Sequence, residues 1–314
     1  MNSVLYFLMQ IVVILLLAPL VGGITKKVKA LSQKRKGPPV FQGYFDILKL
    51  LKKEPVVSAT SSWIFRAAPY ITFGTALCAA LFIPVTAGVS GFSGDALMAV
   101  YLLAGGRFFM TLSGLDTGST FGGMGSSREM MISSLFEPAL LVALFSIALA
   151  SGSTSFAAME NASLTGSFVL LNPVYILSFL SIAVILFAET ARIPVDDPST
   201  HLELTMVHEA MLLEYSGRHL ALMESGAWIK QLFLITVIVN IFLPSGFPGM
   251  ALPSAAAIML SLGIYIAKVI AVSFAIAVVE VSSVKFRLFS VPNLAAFSII
   301  MALLGFVQYF VIRS

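Results

Sequence analysis

Residues 189–217 read ETARIPVDDPSTHLELTMVHEAMLLEYSG. Six of the chain's fifteen acids, Glu189, Asp196, Asp197, Glu203, Glu209 and Glu214, fall in these 29 positions, together with Arg192, His201 and His208. On either side the chain is apolar for about 20 residues, the length that crosses a bilayer. A polar connection of this density between two such runs reads as a loop between membrane spans, and the rest of the sequence repeats the pattern.

Across all 314 residues 58% are apolar and 11% charged, with a mean hydropathy of +0.97. Soluble domains carry about a quarter of their residues charged, so a soluble enzyme is excluded. Apolar runs fall near 3–24, 66–88, 96–114, 130–151, 169–189, 228–248, 256–281 and 291–311. They predict an all-α polytopic membrane protein with about eight transmembrane helices in a single domain, 1–314. The first run lacks a basic n-region and a small-residue cleavage site, so it reads as a retained helix.

Lys and Arg concentrate in alternate connections, whereas 89–95, 152–168 and 249–255 hold none. By the positive-inside rule the basic connections are cytoplasmic and both termini lie outside. The lone Cys78 sits within a span, which excludes a disulfide framework or a cysteine-held iron-sulfur site in this chain. No HExxH or ExxH spacing offers a metal site, and no catalytic residue set is visible.

Span one is expected to end at Gly22 and Gly23, followed by Lys26, Lys27, Lys29, Lys34, Arg35 and Lys36 and broken by Gly37, Pro38 and Pro39. This run reads as a topology anchor against anionic lipid or as a docking surface, and the two roles are compatible; nothing in it calls for nucleic acid. Beyond it, Phe41, Tyr44, Phe45, Leu48 and Leu51 recur at helical spacing opposite Asp46, Lys49, Lys52 and Lys53. That pattern predicts an amphipathic helix in the inner interface.

Ionisable residues inside spans are costly and point to function by default. Arg107 in span three reads either as a snorkelling side chain or as a buried partner. Gly114–Glu129, GLDTGSTFGGMGSSRE, is not a phosphate loop; it reads as a tight connection with Ser126 or Ser127 capping the fourth helix and Glu129 in its first turn. Glu137 lies deeper, before Pro138. Lys268 and Glu280 share span seven, about 18 Å apart along a helix, too far to pair. Glu137 is therefore the carboxylate expected to face Lys268. Pro194 and Pro198 bar a continuous helix through the central stretch. Ser199 or Thr200 is expected to cap a new helix, which Gly217 ends.

Four motifs in order, QKRKGPPVFQGYFDILKLLKKE, SREMMISSLFEPALL, ETARIPVDD and EYSG, resemble those of the membrane subunit called subunit 1 in respiratory complex I and of its relatives in group 4 NiFe hydrogenases. GLDTGS, EYSG and the compact length resemble most the membrane anchor subunit of formate hydrogenlyase and hydrogenase-4 complexes. The resemblance implies a multi-pass subunit of the prokaryotic inner membrane with no cofactor of its own. It also implies hydrogenase large and small subunits and an iron-sulfur subunit, which carry the NiFe centre and clusters, with antiporter-like membrane subunits alongside.

In that reading Glu189, Asp196, Glu203, Glu209 and Glu214 form the mouth of an acidic funnel for protons or sodium, and Glu137, Lys268 and Glu280 are inner relay candidates. Arg35, Gly37, Pro38, Arg107, Arg128, Arg192 and Tyr215 are the structural or docking candidates. Two other functions stay open: a quinone-site subunit of a complex I-type NADH:quinone oxidoreductase, and a structural anchor that conducts nothing.

Overall fold

Backbone N–H and C=O groups inside a bilayer have no water to pair with, so a span must satisfy them within itself. In the computed structural model, which describes residues 3–58, 60–85, 94–165, 172–196, 206–243, 255–286 and 288–313, the chain does this with helices. They are α1 (Ser3–Ser32), α2 (Gln42–Leu51), α3 (Trp63–Leu81), α4 (Ala96–Asp116), α5 (Thr120–Ser151), α6 (Phe156–Thr165), α7 (Pro173–Glu189), α8 (His208–Leu212), α9 (Gly217–Phe242), α10 (Ala255–Ser282) and α11 (Val291–Arg313).

Seven of these, α1, α3, α4, α5, α9, α10 and α11, are long and apolar enough to cross a membrane, and α7 is a shorter apolar helix. At 1.5 Å per residue α7 is about 25 Å long. The first residues of the run expected there, 169–171, lie outside the described residues.

Helix α9 is the axis of the bundle: every residue from Gln231 to Phe242 is buried. It packs on α1, α2, α3, α6, α7 and α10, while α11 packs on α5 and α7. The outward faces of α10 and α11 expose Met259, Leu260, Phe274, Ile300, Leu304 and Phe310, as lipid-facing surfaces do. Two buried amides satisfy carbonyls freed where α3 ends. Gln10 Nε2 donates to Leu81 O (3.1 Å) and Ile83 O (2.7 Å), and Asn240 Nδ2 donates to Pro84 O (2.7 Å).

Several boundaries differ from expectation for identifiable reasons. Helix α1 does not stop at Gly22 and Gly23 but runs to Ser32. The hydroxyl of Thr25 bonds back to Val21 O and Gly22 O, and lysine both favours helix and suits the C-terminal end of its dipole. From its last two residues onward, residues 31–39 are exposed, Arg35, Gly37 and Pro38 among them. Helix α2 forms as predicted, with Phe41, Phe45, Leu48 and Leu51 exposed on its apolar side.

The glycine-rich segment 114–129 is not a connection of that length. Helix α4 continues to Asp116 and α5 begins at Thr120, capped by Ser119 Oγ, which accepts from Gly122 N (3.0 Å). Ser126 and Ser127 therefore lie within the helix, and Ser126 donates to Thr111 O on α4 (2.9 Å). The glycines serve close packing: a Cβ on Gly122 would stand 2.4 Å from Gly114 O, and one on Gly125 2.9 Å from both Ala210 Cβ and Val207 O. They let α4, α5 and α8 approach at backbone distance. The interval 152–168, expected as a plain loop, contains α6.

Gly217 does not end a segment. It opens α9, with φ +52, and a Cβ there would lie 2.5 Å from Glu54 O. The sixth span accordingly runs from 217 to 242, shifted from the expected 228–248. Ser199 and Thr200, the expected caps, lie outside the described residues; the described helix of that region is α8, starting at His208.

Candidate functional site

Where α4, α5, α7 and α9 meet, five charged side chains converge. Arg107 projects from α4 and is 6% exposed at its side chain. Its Nη1 donates to Glu137 Oε1 of α5 (2.8 Å), and its Nη2 pairs with Glu189 Oε2 at the end of α7. Its Nε lies 3.7 Å from Glu129 Oε1, also of α5. Lys230 of α9 reaches Glu189 Oε2 from the other side, at 2.8 Å. The eight-residue spacing of Glu129 and Glu137 puts both on the α5 face that meets α4. With every group ionised, three carboxylates and two cations leave the cluster one negative charge.

Burial makes that composition significant. Glu189 is 4% exposed at its side chain and Glu137 30%. Unpaired charges in a low-dielectric interior cost several kcal/mol each, so the pairs are obligatory. One added proton would bring the cluster to neutrality.

A second group continues from the first through neighbours in sequence. Arg192, three residues past Glu189, donates from Nη1 to Glu280 Oε1 of α10 (2.9 Å) and from Nη2 to Gln231 Oε1 of α9 (2.9 Å). Gln231 follows Lys230 in the chain. A third pair closes the loop region: Lys285 Nζ lies 2.8 Å from Asp196 Oδ1. The other oxygen of Asp196 accepts from Val207 N (3.3 Å) and His208 N (3.4 Å), and Phe286 N donates to Pro194 O (2.8 Å).

The site residues expected from sequence thus divide. Glu137, Glu189, Asp196 and Glu280 are brought into buried pairs. Glu209 is half-buried on α8 and Glu214 is exposed, so neither joins the cluster, and Glu203 lies outside the described residues. The Glu137–Lys268 pair does not form. Lys268 donates to Leu243 O at the end of α9, and the carboxylate that acts on it is Glu160 of α6. Helix α10 packs on α1 and α9 rather than on α5, so a match of depth did not imply a match of position.

Glu160 lies outside the spans, and burial pushes its carboxyl up to about 7, with Lys268 opposing the rise. Arg107 does not snorkel; it is the hub. Glu129 belongs to the cluster although the sequence placed it in a helix's first turn, and Lys230 is a member to which the sequence reading gave no role. A lysine inside an apolar run and an acid one helical face from Glu137 were the signals that could have found them.

The remaining motif residues hold the frame. Arg128 Nη1 donates to Met206 O (2.9 Å) at the base of α8. The Tyr215 ring stacks on Phe65 with centroids 4.1 Å apart and planes 3° from parallel, and its hydroxyl donates to Phe65 O (3.0 Å); burial raises that phenol. Ser216 Oγ accepts from Val56 N (2.8 Å) and donates to Val56 O (3.3 Å). EYSG is therefore a clamp on the segment between α2 and α3.

Two cavities flank these groups. One of about 50 Å³ touches Arg107, Glu129, His208 and Lys230. The other, about 320 Å³ and mostly apolar, lies between α1, α2, α3 and α9, bordered by Leu15, Tyr44, Leu48, Phe73 and Trp228.

Apolar helices around a cluster of buried ion pairs define a multi-pass membrane protein that holds charged groups inside its bundle. The chain belongs to the NADH dehydrogenase family, which matches residues 5–311. It is 36% identical over 308 residues to formate hydrogenlyase subunit 4 of Escherichia coli (strain K12), covering 98% of both chains. It is 39% identical over 245 residues to hydrogenase-4 component C of the same organism, covering 77% of this chain and 76% of that one. The fold is that of a chain in the membrane-bound sulfane sulfur reductase, an archaeal respiratory membrane complex, with a TM-score of 0.85 and 20% identity over 98% of this chain and 100% of that one.

Proposed function

We propose that this chain is the membrane subunit of a group 4 NiFe-hydrogenase complex of the formate hydrogenlyase or hydrogenase-4 type, and that its buried charged cluster couples electron transfer in the complex to translocation of protons or sodium. The assignment to that branch rests on the similarity over 98% of both chains to formate hydrogenlyase subunit 4. The single observation that carries the coupling role is the Arg107 hub, with three carboxylates within salt-bridge reach of the guanidinium and Lys230 paired to one of them.

Closely spaced carboxylates titrate as a unit, so one proton is shared among them. Here neutrality needs one proton more than the fully ionised cluster holds, and Glu137 is its most accessible carboxylate. A change of charge in a neighbouring redox subunit shifts that balance and moves the proton on.

In this reading the basic end of the bundle faces the cytoplasm and both termini lie outside. The exposed run 31–39, with Arg35, Gly37 and Pro38, receives the hydrogenase large and small subunits and the iron-sulfur subunit. Those partners hold the NiFe centre and the clusters, and the chain's lone cysteine, Cys78, is exposed on α3. Antiporter-like subunits continue the path through the membrane. Mild-detergent purification through a tag on this subunit tests the assignment: nickel with iron and hydrogen evolution in the co-purifying complex support it. Flavin, iron without nickel and inhibitor-sensitive quinone reduction would replace it with the complex I-type reading, which the 320 Å³ apolar cavity beside α2 favours.

A further inference from the structure

The 50 Å³ cavity lies under α8, beside the charged hub, and Thr72, Thr75, Arg107, Glu129, His208 and Lys230 supply its polar lining. A water molecule occupies about 30 Å³ in the liquid and needs at least two polar partners to be held; this space offers both. A second observation points the same way. Arg107 Nε is buried and, with Glu129 Oε1 3.7 Å away, has no hydrogen-bond partner among the described residues, and a guanidinium N–H in that condition is ordinarily satisfied by water.

His208 is the first residue of α8, is half-buried and lines the cavity. The helix is fixed in place. Asp196 accepts the His208 backbone N–H, Arg128 holds Met206 O, and Gly125 brings α5 to backbone distance of Val207. The charged groups that line the cavity with His208 are Arg107 from α4, Glu129 from α5 and Lys230 from α9, while Arg128 of α5 and Asp196 at the α7 exit bond to the backbone of residues 206–208 and Glu209 follows on α8. An imidazole can both take up and release a proton at neutral pH, which no other neutral lining group of this cavity does.

We propose that His208 passes protons between the aqueous phase at the basic end and the Arg107 cluster, through water in this cavity. The imidazolium N–H donates to a cavity water, the water donates its own proton to the Glu129 carboxylate, and the neutral ring is reprotonated from solvent. No electron moves and no group other than the proton is transferred. His208 is thus a relay residue for the cluster, and this role rests on the coupling function proposed above.

The test uses the whole complex reconstituted in proteoliposomes, with turnover and vesicle pH followed together for wild type, H208A, H208Q and E137Q. In H208A proton transfer per turnover falls by at least about 10²-fold, the lower end of what a positioned acid–base group contributes, and added imidazole restores it while the pH profile follows the added base. H208Q keeps a polar side chain and the assembled complex, transfers as poorly as H208A, and carries the test should H208A fail to assemble. Wild-type transfer in both His208 variants, or a loss that imidazole does not restore, overturns the role of His208 while E137Q still blocks transfer. Absence of proton transfer in the wild type overturns the role of His208, and absence of sodium transfer as well, followed in the same vesicles, overturns the coupling reading itself.

Discussion

Replacing Arg107 with methionine removes the cation that three carboxylates share, at nearly unchanged volume. Glu189 keeps Lys230 at 2.8 Å, but Glu137 and Glu129 lose the ion pairs they make in the cluster, and its charge goes from one negative to two. Removing one partner of a buried pair costs about 3–5 kcal/mol, a large share of the roughly 5–15 kcal/mol that holds a protein folded. By the scaling of soluble domains this corresponds to a fall in thermal midpoint on the order of 10 °C. The assay is thermal loss of monodispersity of the solubilised complex. R107M/E189Q restores the wild-type charge count, because Glu129 and Glu137 then face Lys230 alone, and it recovers most of the loss; a coupling energy of about 0.5–3 kcal/mol is the range for groups in one network. An R107M variant as stable as wild type, or a double variant whose losses simply add, would refute the idea that Arg107 is an electrostatic hub.

Further outcomes follow from the frame and from the end of the bundle opposite the basic loops. Tyr215→Ala removes a stacked ring and its hydroxyl bond to Phe65 O, and costs about 3–5 kcal/mol, read as reduced yield of assembled complex, whereas Y215F loses only about 1 kcal/mol. Gly217→Ala forces a Cβ to within 2.5 Å of Glu54 O at φ +52 and destabilises by about 1–3 kcal/mol, measured by the same thermal assay. Glu160 has a folded-state pKa raised by burial to about 7, so between its usual value and that one the folded protein binds more protons than the unfolded. Stability therefore falls as pH rises through that window, by on the order of 3 kcal/mol in all. It is flat above and below, and Glu160→Gln abolishes the dependence; a wild-type profile flat across the window contradicts the burial of this carboxyl.

Depth in the membrane was legible in the sequence because hydropathy is a one-dimensional property. The apolar runs, the amphipathic α2 and the ionisable residues within spans all followed from it. Lateral neighbours were not legible, since which helix faces which is set by packing across the bundle. Depth alone therefore pairs Lys268 with Glu137, while the fold gives Glu137 to Arg107 and turns Lys268 toward Leu243 O and Glu160. The glycines of 114–125 read as a loop because glycine disfavours helix in isolation. Here close contact with α4 and α8 outweighs that preference, as the 2.4 Å and 2.9 Å approaches at Gly122 and Gly125 require. The mouth expected from the acids of 189–217 was only half legible: spacing showed their concentration, but not that Glu189 and Asp196 turn inward while Glu214 stays exposed.

The most direct test of the coupling role is ion transfer by the reconstituted complex carrying Glu137→Gln. Glutamine keeps the size and one hydrogen bond to Arg107 but removes the proton-exchanging group from the cluster's most accessible position. Hydrogen evolution is expected to continue while ion transfer per hydrogen drops to background. Unchanged transfer with unchanged turnover would contradict the coupling role and leave the chain an anchor that conducts nothing.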